Sequence, residues 1–378
     1  MKNHSYQKKI KSLLAKTDIE LNGDRPWDIQ ITNENTYSEI VLRGSIGLGQ
    51  TYMRGWWDCK QLDEFFYRLL RCQLHKTIKP LSWYYEALKA KLFNPQKISR
   101  AFQIGEKHYD IGNHLYQNML DKRMIYSCGY WETASTLDEA QEAKLDLICQ
   151  KLKLKPGMSL LDIGCGWGGT AKFIAERYDI NIVGVTVSKQ QAKYAKEICH
   201  GLPIDIRLQD YRDIKETFDR VISIGMFEHV GVKNYETYMQ TVHRCLKDDG
   251  LFLLHTIGCN ESAAVGDPWI ARYIFPNSKI PSVKQVSTAF EGLFVLEDWH
   301  SFGCDYDRTL LCWYRNFKSN WGKLTQNYDT QFYRMWKYYL LSSAGSFRAR
   351  KNQLWQLVLS PNGVLGSFRV PRYHRYKN

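Results

Sequence analysis

The chain has 378 residues, of which 44% are hydrophobic, and it carries a formal net charge of +13. This length suits two domains with a sizeable core, and no apolar run is long enough to cross a bilayer as a helix. The N-terminus is basic and lacks the apolar stretch of a signal peptide, which predicts a cytoplasmic protein.

The ten cysteines include no C-x-x-C pair. Zinc and redox sites usually show such spacing, so none is predicted, and no metal ion is expected. Most of the cysteines are expected to be reduced, buried thiols.

The positive charge lies at the two ends. Residues 1–100 hold 17 Lys and Arg against 10 Asp and Glu, and residues 345–378 hold 7 Lys and Arg and no acid. Basic ends suit an anionic partner, either nucleic acid or an acidic membrane, although a surface that serves only solubility would have the same composition.

Residues 1–92 are predicted to form a smaller N-terminal domain, mixed α/β or helical. Apolar spacing near 3 and 4 predicts amphipathic helices over 10–14 and 62–74, with a Gly-rich and then aromatic stretch over 44–57 between them. The pattern breaks at 93–104, which we interpret as a linker.

Residues 105–378 are predicted to form the catalytic domain. Short apolar strands alternate with helix-length segments, which is typical of an α/β fold with a doubly wound parallel sheet. The predicted strands are 159–164, 180–186, 204–209, 218–224, 250–256, 293–299 and 354–359. An aromatic-rich insertion around 260–347, helical from 306 to 347, is the expected site of a lipid tunnel, with Trp269 among its lining residues.

A glycine loop follows the first of these strands. Gly164, Gly166 and Gly169 satisfy G-x-G-x-x-G, which a dinucleotide dehydrogenase would also contain. However, Asp162 would repel a pyrophosphate but suits the ammonium group of a methionine moiety. A dinucleotide site also needs an acid about 20 residues on to hold the ribose, and residues 184–188 contain none.

The loop resembles the first motif of class I S-adenosylmethionine (SAM)-dependent methyltransferases, which predicts that fold. Its predicted cofactor contacts are Asp162, Gly164, Cys165 and Gly166. After the third strand, Asp210 is expected to accept a hydrogen bond from the adenine amino group and Tyr211 to stack on the ring; a helix cap is the alternative for Asp210.

Longer strings extend the resemblance along the chain. They are KHYDIGN (107–113), YSCGYW (126–131), VTVSKQQ (185–191), GMFEHVG (225–231), LHTIG (254–258), WY (313–314), FRAR (347–350) and QLWQ (353–356). In this order they resemble the cyclopropane-fatty-acyl-phospholipid synthases and, more distantly, the mycolic acid cyclopropane synthases. The resemblance covers nearly the whole chain, including 44–49 and 55–57.

The resemblance implies an activity and a site. The activity is transfer of a methylene group from SAM across the cis double bond of a phospholipid acyl chain. The implied SAM contacts are Tyr126, Ser127, Gly164, Gly166, Thr186, Gln191 and Tyr211. The implied bicarbonate contacts are Cys128, Glu228, His255, Tyr314 and the backbone N–H of Ile257. The family also suggests a homodimer. The two basic ends predict peripheral docking on anionic lipids at the inner face of the membrane, and no nucleic-acid partner is expected.

This chemistry explains why those residue types are needed. An alkene that attacks a sulfonium methyl becomes a carbocation, and a proton must leave before the ring closes, so a base must lie within reach. Tyr314, His255 and the Ile257 N–H are expected to donate to bicarbonate, while Glu228 accepts its hydroxyl hydrogen or orients His255. Taken singly, His255 could be a core histidine, Tyr314 a packing residue, Cys128 a structural thiol and Glu228 part of a helix start.

The residues disfavour two other functions, and one residue departs from the family pattern. An RNA methyltransferase should show an N/D-P-P-Y/F motif, whereas residues 225–231 read GMFEHVG. A non-catalytic lipid-binding protein should have lost the cofactor glycines, which are intact. Ser343 stands where many family members have a cysteine, which argues against an obligatory thiol nucleophile at that position.

Overall fold

The computed structural model describes residues 2–74, 112–263, 266–366 and 368–369. The predicted linker at 93–104 and most of the string at 107–113 lie outside these ranges. The chain divides into two compact units. The first contains residues 1–94, 263–276 and 306–352, and the second contains 95–262, 277–305 and 353–378.

The described α-helices are, in chain order, α1 (Lys2–Leu14), α2 (Asn35–Arg43), α3 (Ser45–Met53), α4 (Leu62–Arg71), α5 (Asn113–Met119), α6 (Leu137–Lys151), α7 (Gly169–Ala175), α8 (Lys189–Ile198), α9 (Tyr235–Arg244), α10 (Pro268–Tyr273), α11 (Val283–Phe290), α12 (Cys304–Ser319), α13 (Trp321–Leu324) and α14 (Thr330–Arg348). The strands are β1 (Gln30–Ile31), β2 (Trp57–Asp58), β3 (Ser159–Ile163), β4 (Asn181–Thr186), β5 (Ile204–Leu208), β6 (Phe218–Ile224), β7 (Leu246–Cys259), β8 (Val295–Ser301) and β9 (Asn352–Ser360).

The second unit is built on a seven-stranded sheet with the order β5-β4-β3-β6-β7-β9-β8. The pairs β3–β4, β4–β5, β3–β6 and β6–β7 are parallel, and β8 and β9 are antiparallel. The predicted α/β class with a mainly parallel sheet is therefore confirmed.

Both faces of this sheet are covered by apolar side chains. On β3, Leu161 and Ile163 belong to one buried cluster, whereas Leu160 belongs to the other. Successive side chains of a strand point to opposite faces, so this division shows a core on each side, as parallel sheets require.

All seven predicted strands are present, and β7 differs most from its prediction. It runs from Leu246 to Cys259 instead of 250–256. Directly after the first residue of the strand come Lys247, Asp248 and Asp249, whose side chains are exposed. A hydrophobic pattern therefore could not include them, although their backbone continues the strand.

The first unit is mainly helical, and β1 pairs with β2 as an antiparallel two-residue ladder. The predicted amphipathic helices correspond to α1 and α4. Helix α14 packs closely on α4 because Gly345 has no side chain: a Cβ there would lie 2.5 Å from the Asp63 carbonyl oxygen and 2.8 Å from Phe66 Cβ.

An aromatic cluster forms the core of the first unit. The ring of Tyr52 lies 4.9 Å from that of Trp57 and 5.5 Å from that of Tyr338, and Trp269 lies 4.4 Å from Tyr338. All four side chains are buried. Trp269, predicted to line a lipid tunnel, is thus a core residue of this unit.

Arg348, the first arginine of the FRAR string, forms ion pairs with acidic residues of the same unit. Arg348 pairs with Asp307 at 2.9 Å, with Asp63 at 2.7 Å and with Glu64 at 3.0 Å. These ion pairs tie the end of α14 to the starts of α4 and α12.

The two units divide the chain differently from the predicted domains. Segments 263–276 and 306–352 were assigned to the catalytic domain, but the structure groups them with residues 1–94. The reason is tertiary: the glycine contact of Gly345 and the ion pairs of Arg348 join residues almost 300 positions apart, which no local pattern reveals. Among the described helices, none is long and apolar enough to cross a membrane.

Candidate active site

The glycine loop turns sharply at the end of β3. Gly164, Gly166 and Gly168 have φ angles of +84°, +55° and +84°, which only glycine adopts readily. The N–H groups of Gly164 and Cys165 both donate to the carbonyl oxygen of Val185, at 2.9 and 3.0 Å. The loop is therefore fixed to the neighbouring strand.

The space around this loop differs between its first two glycines. A Cβ on Gly164 would lie 2.8 Å from Met226 Cγ, whereas a Cβ on Gly166 would have no atom of the described residues within 4 Å. Gly166 thus borders open space that a ligand can fill. The Cys165 thiol is buried, and burial raises its pKa well above the ordinary value, so the thiol stays protonated.

Asp162 lies on β3 just before the loop and is 2% exposed. Burial raises the pKa of its carboxyl group to about 7, and the nearby Lys144 acts in the opposite direction. Its Oδ2 has no hydrogen-bond partner among the described residues. A buried acceptor without a partner suits a cationic ligand group, so Asp162 fits the ammonium end of SAM.

Lys144 was not predicted from the sequence. It lies on α6, is fully buried, and donates from Nζ to Ser127 Oγ at 2.8 Å. Burial lowers its pKa to about 8, and the charges of Asp121, Cys128 and Asp162 partly offset that effect. The signal available in the sequence was a lysine spaced with Ala140, Leu147 and Ile148, on a helix face that also carries Gln141 and Lys151.

The structure brings together two other predicted SAM contacts. Thr186 donates from Oγ1 to Gln191 Oε1 at 3.1 Å, and the Ser188 N–H donates to Thr186 Oγ1 at 3.2 Å. Tyr126 is half-buried, with its ring 5.2 Å from that of Tyr116.

Asp210 caps the short 3-10 helix Tyr211–Asp213, which is the role that the sequence left open beside adenine recognition. It accepts hydrogen bonds from Arg212 N, Nε and Nη2 at 3.0, 2.8 and 2.6 Å. Tyr211 is buried, with its ring edge-on to Tyr238 at 5.1 Å. The roles of Asp210 and Tyr211 toward adenine stay predictions.

Glu228 lies in a short 3-10 helix, Phe227–His229, after β6. Its Oε1 accepts the Ile257 N–H at 2.6 Å, and its Oε2 is buried with no partner among the described residues. Burial raises the pKa of the carboxyl group to about 7. The Ile257 N–H, predicted to donate to bicarbonate, here donates to Glu228 instead.

His255 lies on β7 and is 1% exposed. Its Nδ1 is 3.2 Å from Gln356 Nε2, and its Nε2 has no partner in the described part of the chain. Burial lowers its pKa well below the ordinary value, so the ring is neutral. The predicted orienting residue was Glu228, but the group that contacts the ring is Gln356.

Gln356 was missed, although β9 contained a signal for it. The residues from Gln353 to Ser360 are all buried, and a glutamine in the middle of such a strand needs a polar partner. Its partner lies about 100 residues away, which the sequence pattern could not identify.

The remaining two predicted catalytic residues lie in different units. Cys128 is buried in the second unit, with Sγ 3.1 Å from the Gly129 carbonyl oxygen. Tyr314 is half-buried on α12 in the first unit, where burial raises its pKa and its hydroxyl group bonds to Tyr333. Its part in the site stays a prediction.

No group of three or more His, Cys, Asp or Glu side chains in the described ranges is placed to hold a metal ion. The buried side-chain atoms without a hydrogen-bond partner among the described residues include Asp162 Oδ2, Glu228 Oε2, His255 Nε2 and Gln356 Oε1. These groups suit organic and small-anion ligands.

Comparison with known proteins gives a consistent result. Residues 96–357 match the family described as mycolic acid cyclopropane synthetase. The chain is 50% identical over 363 residues to the cyclopropane-fatty-acyl-phospholipid synthase of Escherichia coli K12, covering 95% of this chain and 94% of that protein. It is 35% identical over 283 residues to cyclopropane mycolic acid synthase 2 of Mycobacterium leprae, covering 67% and 92% respectively.

Solved structures agree with this. A cyclopropane synthase from Mycobacterium tuberculosis is 32% identical with a TM-score of 0.64, covering 68% of this chain and 97% of that one. A mycolic acid cyclopropane synthase complexed with SAH and CTAB is 34% identical with the same TM-score and coverage. The fold is therefore that of a class I SAM-dependent methyltransferase, and the chain belongs to the mycolic acid cyclopropane synthetase family.

Proposed function

We propose that the chain transfers a methylene group from SAM across the cis double bond of an unsaturated phospholipid acyl chain. The products are a cyclopropane fatty acyl phospholipid and S-adenosylhomocysteine. The observation that carries this proposal is the 50% identity to a cyclopropane-fatty-acyl-phospholipid synthase over 95% of the chain. A span of that length includes most of the N-terminal residues that precede the family match at residue 96.

The second unit offers a place for SAM. The open space beside Gly166 allows close approach of a ligand to the backbone, and the free Oδ2 of Asp162 is an acceptor for an ammonium group. When bound, SAM supplies a methyl group on a cationic sulfur. The chain's own contribution at this point is to bind and orient that group.

Two buried atoms of the same unit support the binding of a small anion such as bicarbonate. His255 Nε2 and Glu228 Oε2 are both buried without partners among the described residues. A neutral imidazole N–H can donate to the anion, and the glutamate oxygen can accept its hydroxyl hydrogen. Bicarbonate, when bound, supplies a base. Cys128, in the same unit, joins this set by resemblance.

Glu228 is suited to hold or release a proton near neutral pH. Burial raises its pKa to about 7, and the hydrogen bonds from Ile257 and Thr256 keep the pKa from rising further. A carboxyl group with such a pKa is an effective proton acceptor or donor at physiological pH. Its fixed Oε1 leaves Oε2 as the atom that exchanges the proton.

Buried aromatic side chains of the second unit support a dry site. Tyr130, Trp131 and Phe227 are buried, and the ring of Tyr130 lies 5.3 Å from that of Phe302. A carbocation exposed to water would be trapped as an alcohol, so a dry lining protects it, and aromatic faces also stabilise a cation.

We extend the proposal to membrane binding. On α1, Lys8, Lys9 and Lys11 are exposed, whereas Ile10 and Leu14 are buried. Each basic residue near an anionic lipid surface contributes about 1 kcal/mol to binding. The basic ends of the chain would hold the enzyme peripherally at the inner face of the membrane, as a homodimer.

The reaction is tested with vesicles of a cis-unsaturated phospholipid mixed with an anionic lipid. The purified protein is incubated with SAM and bicarbonate, and the acyl chains are analysed by mass spectrometry. The proposal predicts a gain of one CH2 per double bond, with an equal amount of S-adenosylhomocysteine. Binding of SAM without any lipid product would favour a small-molecule or RNA substrate instead.

Membrane binding is tested by vesicle sedimentation. Replacing Lys8, Lys9 and Lys11 by glutamine should weaken binding to anionic vesicles by about two orders of magnitude, from about 1 kcal/mol per lysine. A control variant makes the same charge change at Lys193, Lys196 and Lys215, which are exposed in the second unit. Equal loss of binding in both variants would contradict docking through α1.

A further inference from the structure

Gln356 is wholly buried in the middle of β9. A glutamine amide carries two donor hydrogens on Nε2 and an acceptor oxygen, and both ends need partners away from water. Its Nε2 lies 3.2 Å from Nδ1 of His255, on β7. A polar contact this deep in the sheet constrains the histidine that it touches.

The orientation of the Gln356 amide favours one tautomer of His255. A neutral imidazole has one N–H donor and one acceptor nitrogen, and the amide Nε2 can only donate. With the amide in this orientation, Nδ1 is the acceptor and the proton is on Nε2; Oε1 of Gln356 is buried with no hydrogen-bond partner among the described residues. The ring is neutral because burial lowers its pKa, and the charges of Lys144 and Lys151 act in the same direction.

Apart from Gln356, the described residues supply no hydrogen-bond partner for the His255 ring. Phe302 packs edge-on to His255, with ring centres 5.9 Å apart, and Nε2 has no hydrogen-bond partner among the described residues. A histidine that serves only packing would have both nitrogens satisfied. One nitrogen of His255 is held by the protein, and the other is left for a ligand.

We infer that Gln356 is a positioning residue that holds His255 in the Nε2–H tautomer, so that an N–H donor faces the anion of the active site. The inference rests on the proposed function, because the anion is part of it. The opposite tautomer would present a lone pair to the anion and repel it. Gln356 acts only through His255.

The tautomer is measured directly by NMR of the full-length protein labelled with 15N-histidine. The His255 signals are identified by their loss in a His255→Gln variant. We expect the wild-type protein to show a protonated Nε2 and an unprotonated Nδ1. A protonated Nδ1 in the wild-type protein would overturn the inference.

A substitution tests the consequence for catalysis. Gln356→Met keeps the length of the side chain but removes the donor, and it should lower kcat about 10- to 100-fold, by analogy with the loss of residues that orient metal-bound histidines. The Kd for SAM should stay within about twofold, because the change affects the anion end of the site. Unchanged kcat in this variant would contradict the inference.

The matched control is Gln353→Met. Gln353 lies three positions earlier on β9 and is also buried, but an odd spacing along a strand places it on the opposite face. It should show neither the kinetic loss nor a change in the His255 signals. If Gln356→Met does not fold, the NMR measurement of the His255 tautomer in the wild-type protein still tests the inference. If the wild-type enzyme forms no cyclopropane lipid, the proposed function fails while the tautomer result stands.

Discussion

The backbone N–H of Ile257 donates to Oε1 of Glu228 at 2.6 Å and fixes a buried carboxyl group beside the end of β7. The second oxygen of Glu228 has no partner in the described ranges. One oxygen is thus used for positioning and the other is available for chemistry. This division of roles leads to the first prediction.

Glu228→Gln should lower kcat by about 100- to 10,000-fold, the usual contribution of a positioned proton-transfer group. The amide can still accept the Ile257 N–H, so the fold and the Kd for SAM should be retained. Steady-state kinetics and calorimetric titration with SAM separate the two effects. Glu236→Gln, on the exposed side of α9, is the control and should be fully active. Parallel losses of turnover and SAM affinity would instead assign Glu228 a structural role.

The raised pKa of Glu228 also predicts a pH dependence of stability. The carboxyl group has an ordinary pKa of 4.5, and burial raises it to about 7 in the folded protein. The folded state therefore binds the proton more tightly, and this stabilisation is lost as the pH rises from about 4.5 to about 7. The loss amounts to about 3 kcal/mol.

Melting temperatures of the wild-type protein and Glu228→Gln, compared at about pH 5 and about pH 8, measure this effect. The glutamine stays neutral, so the variant should gain stability relative to the wild type as the pH rises. Asp162 shifts in the same direction but is present in both proteins, and its contribution cancels. If the melting temperature of the variant instead fell relative to that of the wild type as the pH rose, the assignment would be contradicted.

Lys144→Met should weaken SAM binding about fivefold at neutral pH, because a rise of about one unit in the pKa of a carboxyl group that titrates near 7 lowers its ionised fraction by that factor. The lysine is the charge that opposes the rise in the pKa of Asp162. Without it, Asp162 is protonated over more of the neutral range and attracts an ammonium group less. Calorimetric titration should show the affinity recovering at higher pH, where Asp162 ionises.

The control for this change is Lys151→Met. Lys151 is an equally buried lysine on the same helix, and it pairs with Asp298 at 3.1 Å. Its loss should lower the melting temperature without changing the Kd for SAM. Equal weakening of SAM binding in both variants would show that the effect is one of general destabilisation.

Gly166→Ala should reduce SAM affinity by at least tenfold. A residue with a side chain costs about 1–2 kcal/mol in the left-handed region, and the added methyl group would project into the open space beside the loop. Gly157→Ala is a matched control, since Gly157 has a φ of +81° and a Cβ there also meets nothing within 4 Å. The control should lose similar stability and no affinity. SAM binding unaffected in Gly166→Ala would place the cofactor elsewhere.

The sheet could be predicted from the sequence because its strands are short apolar runs between helix-length segments. The glycine loop was equally visible, since Gly164 and Gly166 stand directly after a strand. Local patterns therefore predicted the fold of the second unit and the sharp turn of the glycine loop, and the role of that loop in cofactor binding stays a prediction.

Contacts between distant parts of the chain could not be predicted in this way. Gln356 contacts His255 across about 100 residues, and Arg348 binds Asp63 across 285 residues. Such pairs depend on how elements pack, which neither periodicity nor spacing encodes. The same limit explains why segments 263–276 and 306–352 were assigned to the wrong side of the domain division.

The central claim is methylene transfer to a lipid double bond, and SAM with a fully deuterated methyl group tests it most directly. The account predicts that the enzyme adds CD2 to each reacting double bond, because one deuteron leaves the transferred methyl group when the ring closes. Mass spectrometry of the acyl chains reads this out. A product that keeps all three deuterium atoms as a methyl branch, or no labelled lipid at all, would contradict the account.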